Sequence, residues 1–452
     1  MKRSASPPSP HSAMTALQRL TDYIALVRSR TWACSETQLR NELTAMLYTS
    51  CAADEVRLLV SNGADVNARR VEDGITPLHV CKNVEVADAL IAAGANIHAA
   101  CARGRTPLYR QCLSNNVDIV KHLIRHGADV DPACSCCGNT PLSICRSVEM
   151  VDALLDAGAQ IDGVESMKDT PFFYALNYQH EEVALALLRR GAHWSTPGKE
   201  YRLTRLWVAT VCNQTRVMQK LIQLGSCVDE ISEQLGLTAA FACKSKEAVR
   251  VLWDAGANFE RVCGGVTPLA YVLNLHRTYM PVFEEVVMEM IVKGVDLRKR
   301  NRGLSYATLA IRANLPRVAS ILLDRAEVFE PCWVIEACHV PDPEVLHVVI
   351  RTARRLQRHV KNMVYAGNRR ITPLQIVALR GFADHARALL EAGCDPDLSY
   401  VGNAELPLAL AFVHSSEVAE VLLQHGADMY KIDPRMIPSW IPRTPRAAAD
   451  HA

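Results

Sequence analysis

The chain has 452 residues, 49% of them hydrophobic and 22% charged, with 50 Lys and Arg balancing 48 Asp and Glu. That apolar share excludes a disordered chain, and the near-neutral charge gives no reason to expect a uniformly basic nucleic-acid binder. No run approaches eighteen apolar residues, so no membrane-spanning helix is expected, and the polar start (Met-Lys-Arg-Ser-Ala-Ser-Pro-Pro) points to an intracellular protein of the cytoplasm or nucleus.

Taken in order, residues 1–13 are rich in Ser and Pro and read as a disordered leader. Residues 14–35 place Leu17, Leu20 and Ile24 at helical spacing, which predicts an amphipathic capping helix. From residue 36 to 428 one pattern recurs. It opens with Thr-Pro-Leu, as at Thr76-Pro77-Leu78, Thr106-Pro107-Leu108, Thr140-Pro141-Leu142, Thr267-Pro268-Leu269 and Thr372-Pro373-Leu374. It closes with Gly-Ala, as at Gly94-Ala95, Gly127-Ala128, Gly158-Ala159 and Gly256-Ala257. The Thr residues 76, 106, 140, 170, 204, 238 and 267 are 30, 34, 30, 34, 34 and 29 apart, a period that signals a repeat array.

Each position has a physical reason. Thr is a good helix N-cap, Pro loses nothing at the first helical position, and Gly adopts the left-handed conformation that ends a helix. In the second helix Val86, Ala89 and Leu90 form the apolar face. With Thr76-Pro77-Leu78-His79 and Gly63-Ala64-Asp65-Val66-Asn67, the pattern resembles the ankyrin repeat. The resemblance implies an all-α solenoid of helix-turn-helix units with projecting β-hairpin loops, about twelve of them. It also implies that His79 makes a structural hydrogen bond between repeats.

The units differ in length. From Thr to closing Gly the separation is 21 in those opening at 106, 170 and 204, but 18 in those opening at 76, 140 and 238. Where the longer units join their helices, the shorter ones carry Cys81-Lys82-Asn83, Cys145-Arg146-Ser147 and Cys243-Lys244-Ser245. Losing three residues removes nearly one turn and leaves the second helix in phase. Register weakens over 270–370, with an insertion at 276–281 and no Thr-Pro-Leu between 331 and 358, then returns at Thr372. Residues 429–452 hold four prolines and read as a tail or cap, with Ile437 and Trp440 able to fold back.

Catalysis finds no motif. The chain has no phosphate-binding Gly loop, nucleophile elbow or His-Glu-x-x-His helix, and it reads as non-enzymatic, without cofactor. An enzyme site hidden in 270–370 is the contrary reading. Cys81, Cys145 and Cys243 read as packing residues. Cys134, Cys136 and Cys137 lie within four residues, but no second pair stands at zinc-site spacing, so no metal is assigned.

Recognition of a protein partner is the expected function, with hairpin tips and first helices forming a concave surface. The candidate contact residues are Arg69, Arg70, Glu72, Arg103, Lys168, Trp194, Lys199, Arg202, Arg298, Lys299, Arg300 and Arg302. Arg351, Arg354, Arg355 and Arg358, three and four apart, are expected on one helical face and join them as a basic surface for an acidic partner. RNA or anionic lipid is the alternative ligand for that surface, and a pathogen effector acting on host proteins is a variant of the scaffold reading. A monomer is expected.

Overall fold

The Thr-Pro pairs start helical turns, as their capping chemistry requires. The computed structural model describes residues 10–29, 36–164, 169–195, 203–275, 282–360, 371–399, 406–432, 435, 437 and 438. It divides into two units, residues 1–239 and 240–452, and almost all of its regular structure is helical. No helix among the described residues is long and apolar enough to cross a membrane.

The first unit begins with α1 (Pro10–Ser29), α2 (Glu36–Leu47) and α3 (Ala53–Ser61). A single-turn 3-10 helix (Pro77–Val80) then pairs with α4 (Val84–Ala92), and α5 (Pro107–Leu113) with α6 (Val117–Arg125). A second 3-10 turn (Pro141–Ile144) pairs with α7 (Val148–Asp156), α8 (Pro171–Asn177) with α9 (Glu181–Arg189), and α10 (Arg205–Val211) with α11 (Thr215–Gln223). Helix α1 starts inside the stretch expected to be a disordered leader and ends at Ser29, short of residue 35. Its Leu20 and Ile24 are buried, and it packs on α3.

Two forms of the unit result from the three-residue difference, and all of the shortening falls on the first helix. The long units have a seven-residue first helix at α5, α8 and α10. The short units have only the four-residue 3-10 turns Pro77–Val80, Pro141–Ile144 and Ala239–Ala242. The second helix has nine residues in both forms. The link changes accordingly. Long units turn through a left-handed residue, Asn115, Gln179 or Asn213, with φ between 55° and 60°. Short units instead cap the second helix with the side chain of Asn83, Ser147 or Ser245, which accepts from the backbone N–H of Val86, Met150 or Ala248. The helix then ends in the pattern expected of its Gly: in α4 the N–H of Ala95 donates to Leu90 C=O at 3.0 Å and that of Gly94 to Ile91 C=O at 2.9 Å.

In the second unit α12 (Lys246–Asp254) is followed by α13 (Pro268–Leu275) and α14 (Val282–Lys293). Next come α15 (Tyr306–Arg312) and α16 (Pro316–Asp324), α17 (Cys332–Ala337) and α18 (Pro343–Arg355), α19 (Pro373–Arg380) and α20 (Ala383–Glu391), and α21 (Pro407–His414) and α22 (Ser416–Gln424). The insertion at 276–281 lies outside the described residues, as do most of the tail and Trp440. Where Thr-Pro-Leu is missing, a polar network holds the turn. Glu330 accepts from Ser305 and Thr308 hydroxyls at 3.0 and 3.2 Å, and the Trp333 indole donates to Thr308 Oγ1 at 3.1 Å.

The expected β-hairpins are mostly hydrogen-bonded turns. Only β1 (Arg300–Asn301) and β2 (Leu304–Ser305) form a ladder among the described residues, joined by Arg302 and Gly303 at φ 50° and 83°. This is the two-residue turn whose twist suits a hairpin, although arginine is strained in it.

Candidate functional site

Hairpins in the first unit are locked to one another through the backbone. The N–H of Ala102 donates to Asp73 C=O and that of Ser135 to Arg103 C=O, both at 2.9 Å. The approach is tight enough that a Cβ at Gly104 would lie 2.8 Å from Ser135 N. His79, buried, accepts the Thr76 N–H at Nδ1 (3.0 Å), so its Nε2–H donates to Arg105 C=O of the next repeat at 3.0 Å. Burial, then the neighbouring arginines, pushes its pKa down, although the Arg105 carbonyl acts the other way. Cys81 and Cys243 are buried and burial raises both thiols to about 12.

A second set of cross-links was not anticipated. Four residues after the closing Gly stands Asn67, Asp131, Asp162, Glu260 or Asp397. Their side chains accept the backbone N–H of Asn96 (2.6 Å), Gln160 (3.0 Å), His193 (2.8 Å), Asp296 (2.6 Å) and Asp428 (2.9 Å), each in the following repeat. The signal was present as a fixed offset, but a bond to a residue some thirty positions away cannot be read from one repeat.

On this frame the hairpin tips project. Val71 is fully exposed beside exposed Arg69, Arg70 and Glu72, and Ile231 and Leu235 are exposed on a later hairpin of the same unit. Arg69 Nη2 donates to Ala100 C=O at 2.5 Å, and Arg70 pairs with Asp73, its Nε 3.0 Å from Oδ1. Arg103 is exposed and Trp194 half-buried, whereas Lys168, Lys199 and Arg202 lie outside the described residues.

In the second unit the basic residues divide. Lys299 pairs with Glu260 at 2.8 Å and Arg300 with Glu330 at 2.7 Å. Arg351 donates to Ser320 Oγ at 3.0 Å, and Arg355 to the Leu323 and Ala326 carbonyls at 2.7 and 2.9 Å, which caps α16. Arg354 is exposed, and Arg358 falls past the end of α18, beyond a left-handed Gln357, so the four arginines do not share one helical face. Arg298 and Arg302 are exposed on the ladder hairpin, and Val262 is exposed on the preceding one.

Three further groupings bear on chemistry. A cleft of 530 Å³ is lined by Ile335, Glu336, His339, Ile376, Leu379 and Arg380. Its polar groups are paired, Glu336 with Arg312 and Arg380 with His339 at 3.4 Å, so they stabilise one another rather than stand as a poised acid and base. Asp88 on α4 faces His122 on α6 and His126 just past its end, its Oδ1 3.5 Å from His122 Nε2 and 3.8 Å from His126 Nε2. Burial, then His126, lowers the His122 pKa, which favours the neutral imidazole that binds divalent cations. The sulfurs of Cys134, Cys136 and Cys137, the trio to which the sequence assigns no metal, also converge. The Cys134 and Cys137 thiols titrate as a pair: burial raises both, but sulfur contacts from Cys137 and Cys136 and the backbone N–H groups of Cys137 and Asn139 outweigh it at Cys134 and bring that thiol below its ordinary value, while Cys137 is pushed up.

Comparison with known proteins agrees with the repeat pattern. The profile described as "Ankyrin repeats (3 copies)" matches residues 81–164 and 118–197. Residues 81–197 of this chain are ankyrin repeats. Over 136 residues, 27% of the chain and 40% of the relative, it is 33% identical to the putative ankyrin repeat protein FPV031 of fowlpox virus. Over 152 residues, 32% of each, it is 31% identical to the mouse B-cell lymphoma 3 protein homolog. Over 209 residues, 42% of the chain and 46% of the relative, it is 29% identical to human ankyrin repeat and SOCS box protein 16. The matched ankyrin segments thus span less than half the length of these relatives. The human ASB11 ankyrin repeat domain aligns over 46% of this chain and 92% of its own at 26% identity and a TM-score of 0.39.

Proposed function

We propose that the chain is a non-enzymatic scaffold or adaptor that captures protein partners through its ankyrin hairpin tips and first helices. Ankyrin repeats are in general modules of protein–protein interaction, and one observation supports that use here. The hairpins carry exposed aliphatic side chains, Val71, Ile231 and Leu235 in the first unit and Val262 in the second, on turns closed by their own backbone hydrogen bonds, the Val71 hairpin also being tied to the next one through Asp73 C=O. An apolar side chain held in water on a rigid support loses little conformational entropy on binding, which is how an interface anchor works.

Arg69, Arg70, Glu72, Arg103, Lys168, Trp194, Lys199 and Arg202 would set specificity around those anchors, and a monomer in the cytoplasm or nucleus would suffice. A basic surface for RNA or anionic lipid is the weaker reading, because Lys299, Arg300, Arg351 and Arg355 are engaged within the unit. The fowlpox virus relative motivates the variant in which the partner is a host protein.

The test is affinity capture with three forms of the chain. One is unchanged, one carries Val71→Asp with Leu235→Asp, and one carries Arg298, Arg302, Arg354 and Arg358 each changed to Glu. Loss of a defined protein only in the hairpin variant supports the reading. Loss only in the charge-reversed form, with nucleic acid or lipid in the wild-type capture, overturns it.

A further inference from the structure

We propose that the hairpin at Cys134–Asn139 is a soft-metal site, in which the sulfurs of Cys134, Cys136 and Cys137 take a thiophilic cation of the zinc(II) class.

The turn itself brings the ligands together. The Cys134 N–H donates to Asn139 C=O at 2.9 Å and the Gly138 N–H to Cys134 C=O at 2.8 Å. The first hairpin closes with the same pair of bonds, Arg70 N–H to Ile75 C=O at 2.9 Å and Gly74 N–H to Arg70 C=O at 2.7 Å. There the first and fourth positions hold Arg70 and Asp73, whose side chains meet. The backbone therefore places those two positions side by side whatever they carry. At 134 and 137 they carry thiols, with sulfurs 2.6 Å apart, and Cys136 adds a third at 3.4 and 3.8 Å.

Three sulfurs at tetrahedral corners around zinc, each at about 2.3 Å, stand about 3.8 Å from one another. Two of the three separations are near that value, and the third needs to open by about 1 Å, a small rotation about χ1. Soft thiolates select zinc(II), cadmium(II) or copper(I) over calcium or magnesium. Arg105 Nη2 lies 3.9 Å from Cys136 Sγ, where it offsets the negative charge of a tris-thiolate. Cys134 is buried, Cys137 half-buried and Cys136 exposed, so the ion reaches the site from solvent and its fourth position faces water. The sequence offers no second cysteine pair at zinc-site spacing, but three protein ligands with an open position are a sufficient set. Binding displaces to solvent whichever thiol protons remain and moves no electrons.

The experiment uses the full chain, reduced with a phosphine, and cobalt(II) as the probe. One equivalent is expected to produce the near-ultraviolet sulfur-to-cobalt band of thiolate ligation, bleached by one equivalent of zinc(II). Cys136→Ser and Cys137→Ser, folded by circular dichroism, should each weaken cobalt binding at least about tenfold. His126→Gln should leave the band unchanged, since Asp88, His122 and His126 contain no sulfur. Absence of the band, or its survival in both serine variants, overturns the proposal. So does a reduced chain that binds no cobalt yet forms a Cys134–Cys137 disulfide in air, which would make the hairpin a redox dithiol.

Discussion

The guanidinium of Arg205 and the carboxylate of Asp169 meet at 2.8 Å, with both side chains only 3% exposed. Arg205 occupies the first helical position of α10, where Pro77, Pro107, Pro141 and Pro171 stand in other repeats. It lies over the Phe173 ring at 4.7 Å, and Asp169 also accepts the Thr170 N–H at 2.9 Å. One departure from the repeat pattern has therefore drawn in another, across adjacent units. Removing one partner strands a buried charge, so Asp169→Asn or Arg205→Ala should each cost about 3–5 kcal/mol in urea unfolding. The double change Asp169→Leu with Arg205→Pro copies Leu237 and Pro77 from sister positions. It should fall within about 1 kcal/mol of the wild type, because an apolar replacement of a buried pair is often neutral.

Acid sensitivity should come partly from His79. Its folded pKa lies below the ordinary 6.5, so as pH falls through 6.5 the unfolded chain takes up a proton before the folded one. Stability is fully present above that value and declines below it until the folded pKa is passed. In the unit opening at Thr372, Gln375 fills the same position and accepts the Thr372 N–H at 2.7 Å. His79→Gln should thus keep the cap and flatten the stability–pH slope between pH 6.5 and the folded value, as read from unfolding midpoints in a pH series.

The two forms of the unit should respond differently at the start of the second helix. Ser147 accepts from Met150 N–H at 3.4 Å, whereas His180, at the matching place in a long unit, makes no side-chain cap. Ser147→Ala should cost about 1 kcal/mol in thermal or urea unfolding, and His180→Ala less than half of that.

Arg302 should be a site of relief. At φ 50° it takes a conformation that glycine adopts freely, so Arg302→Gly should raise stability by about 1 kcal/mol, and Arg302→Val should lower it.

Much of this was legible in the chain. Thr76, Pro77 and Gly94 each report a local backbone requirement, and such requirements survive in a single sequence. The three-residue deletions at Cys81, Cys145 and Cys243 were equally visible. Their outcome, a 3-10 turn with all the loss on one helix, depends on packing against the neighbouring repeat. Apart from the His79 bond that the family resemblance implies, contacts between repeats could not be read. Arg355 looks like a surface charge until α16 presents its free carbonyls, and Asn67 looks like a turn residue until Asn96 lies beside it. The cysteine trio is a third case. Spacing gave the Cys-x-x-Cys pair, but only the turn shows that Cys136 converges on it.

The most direct test of the central claim is hydrogen exchange on the chain, free and bound to whatever protein it captures. Binding through hairpin tips and first helices predicts slowed exchange at residues 69–75, 101–105 and 231–237, with the second helices α4, α6 and α11 unchanged. Protection confined to those second helices, with the hairpins exchanging as in the free chain, would contradict it.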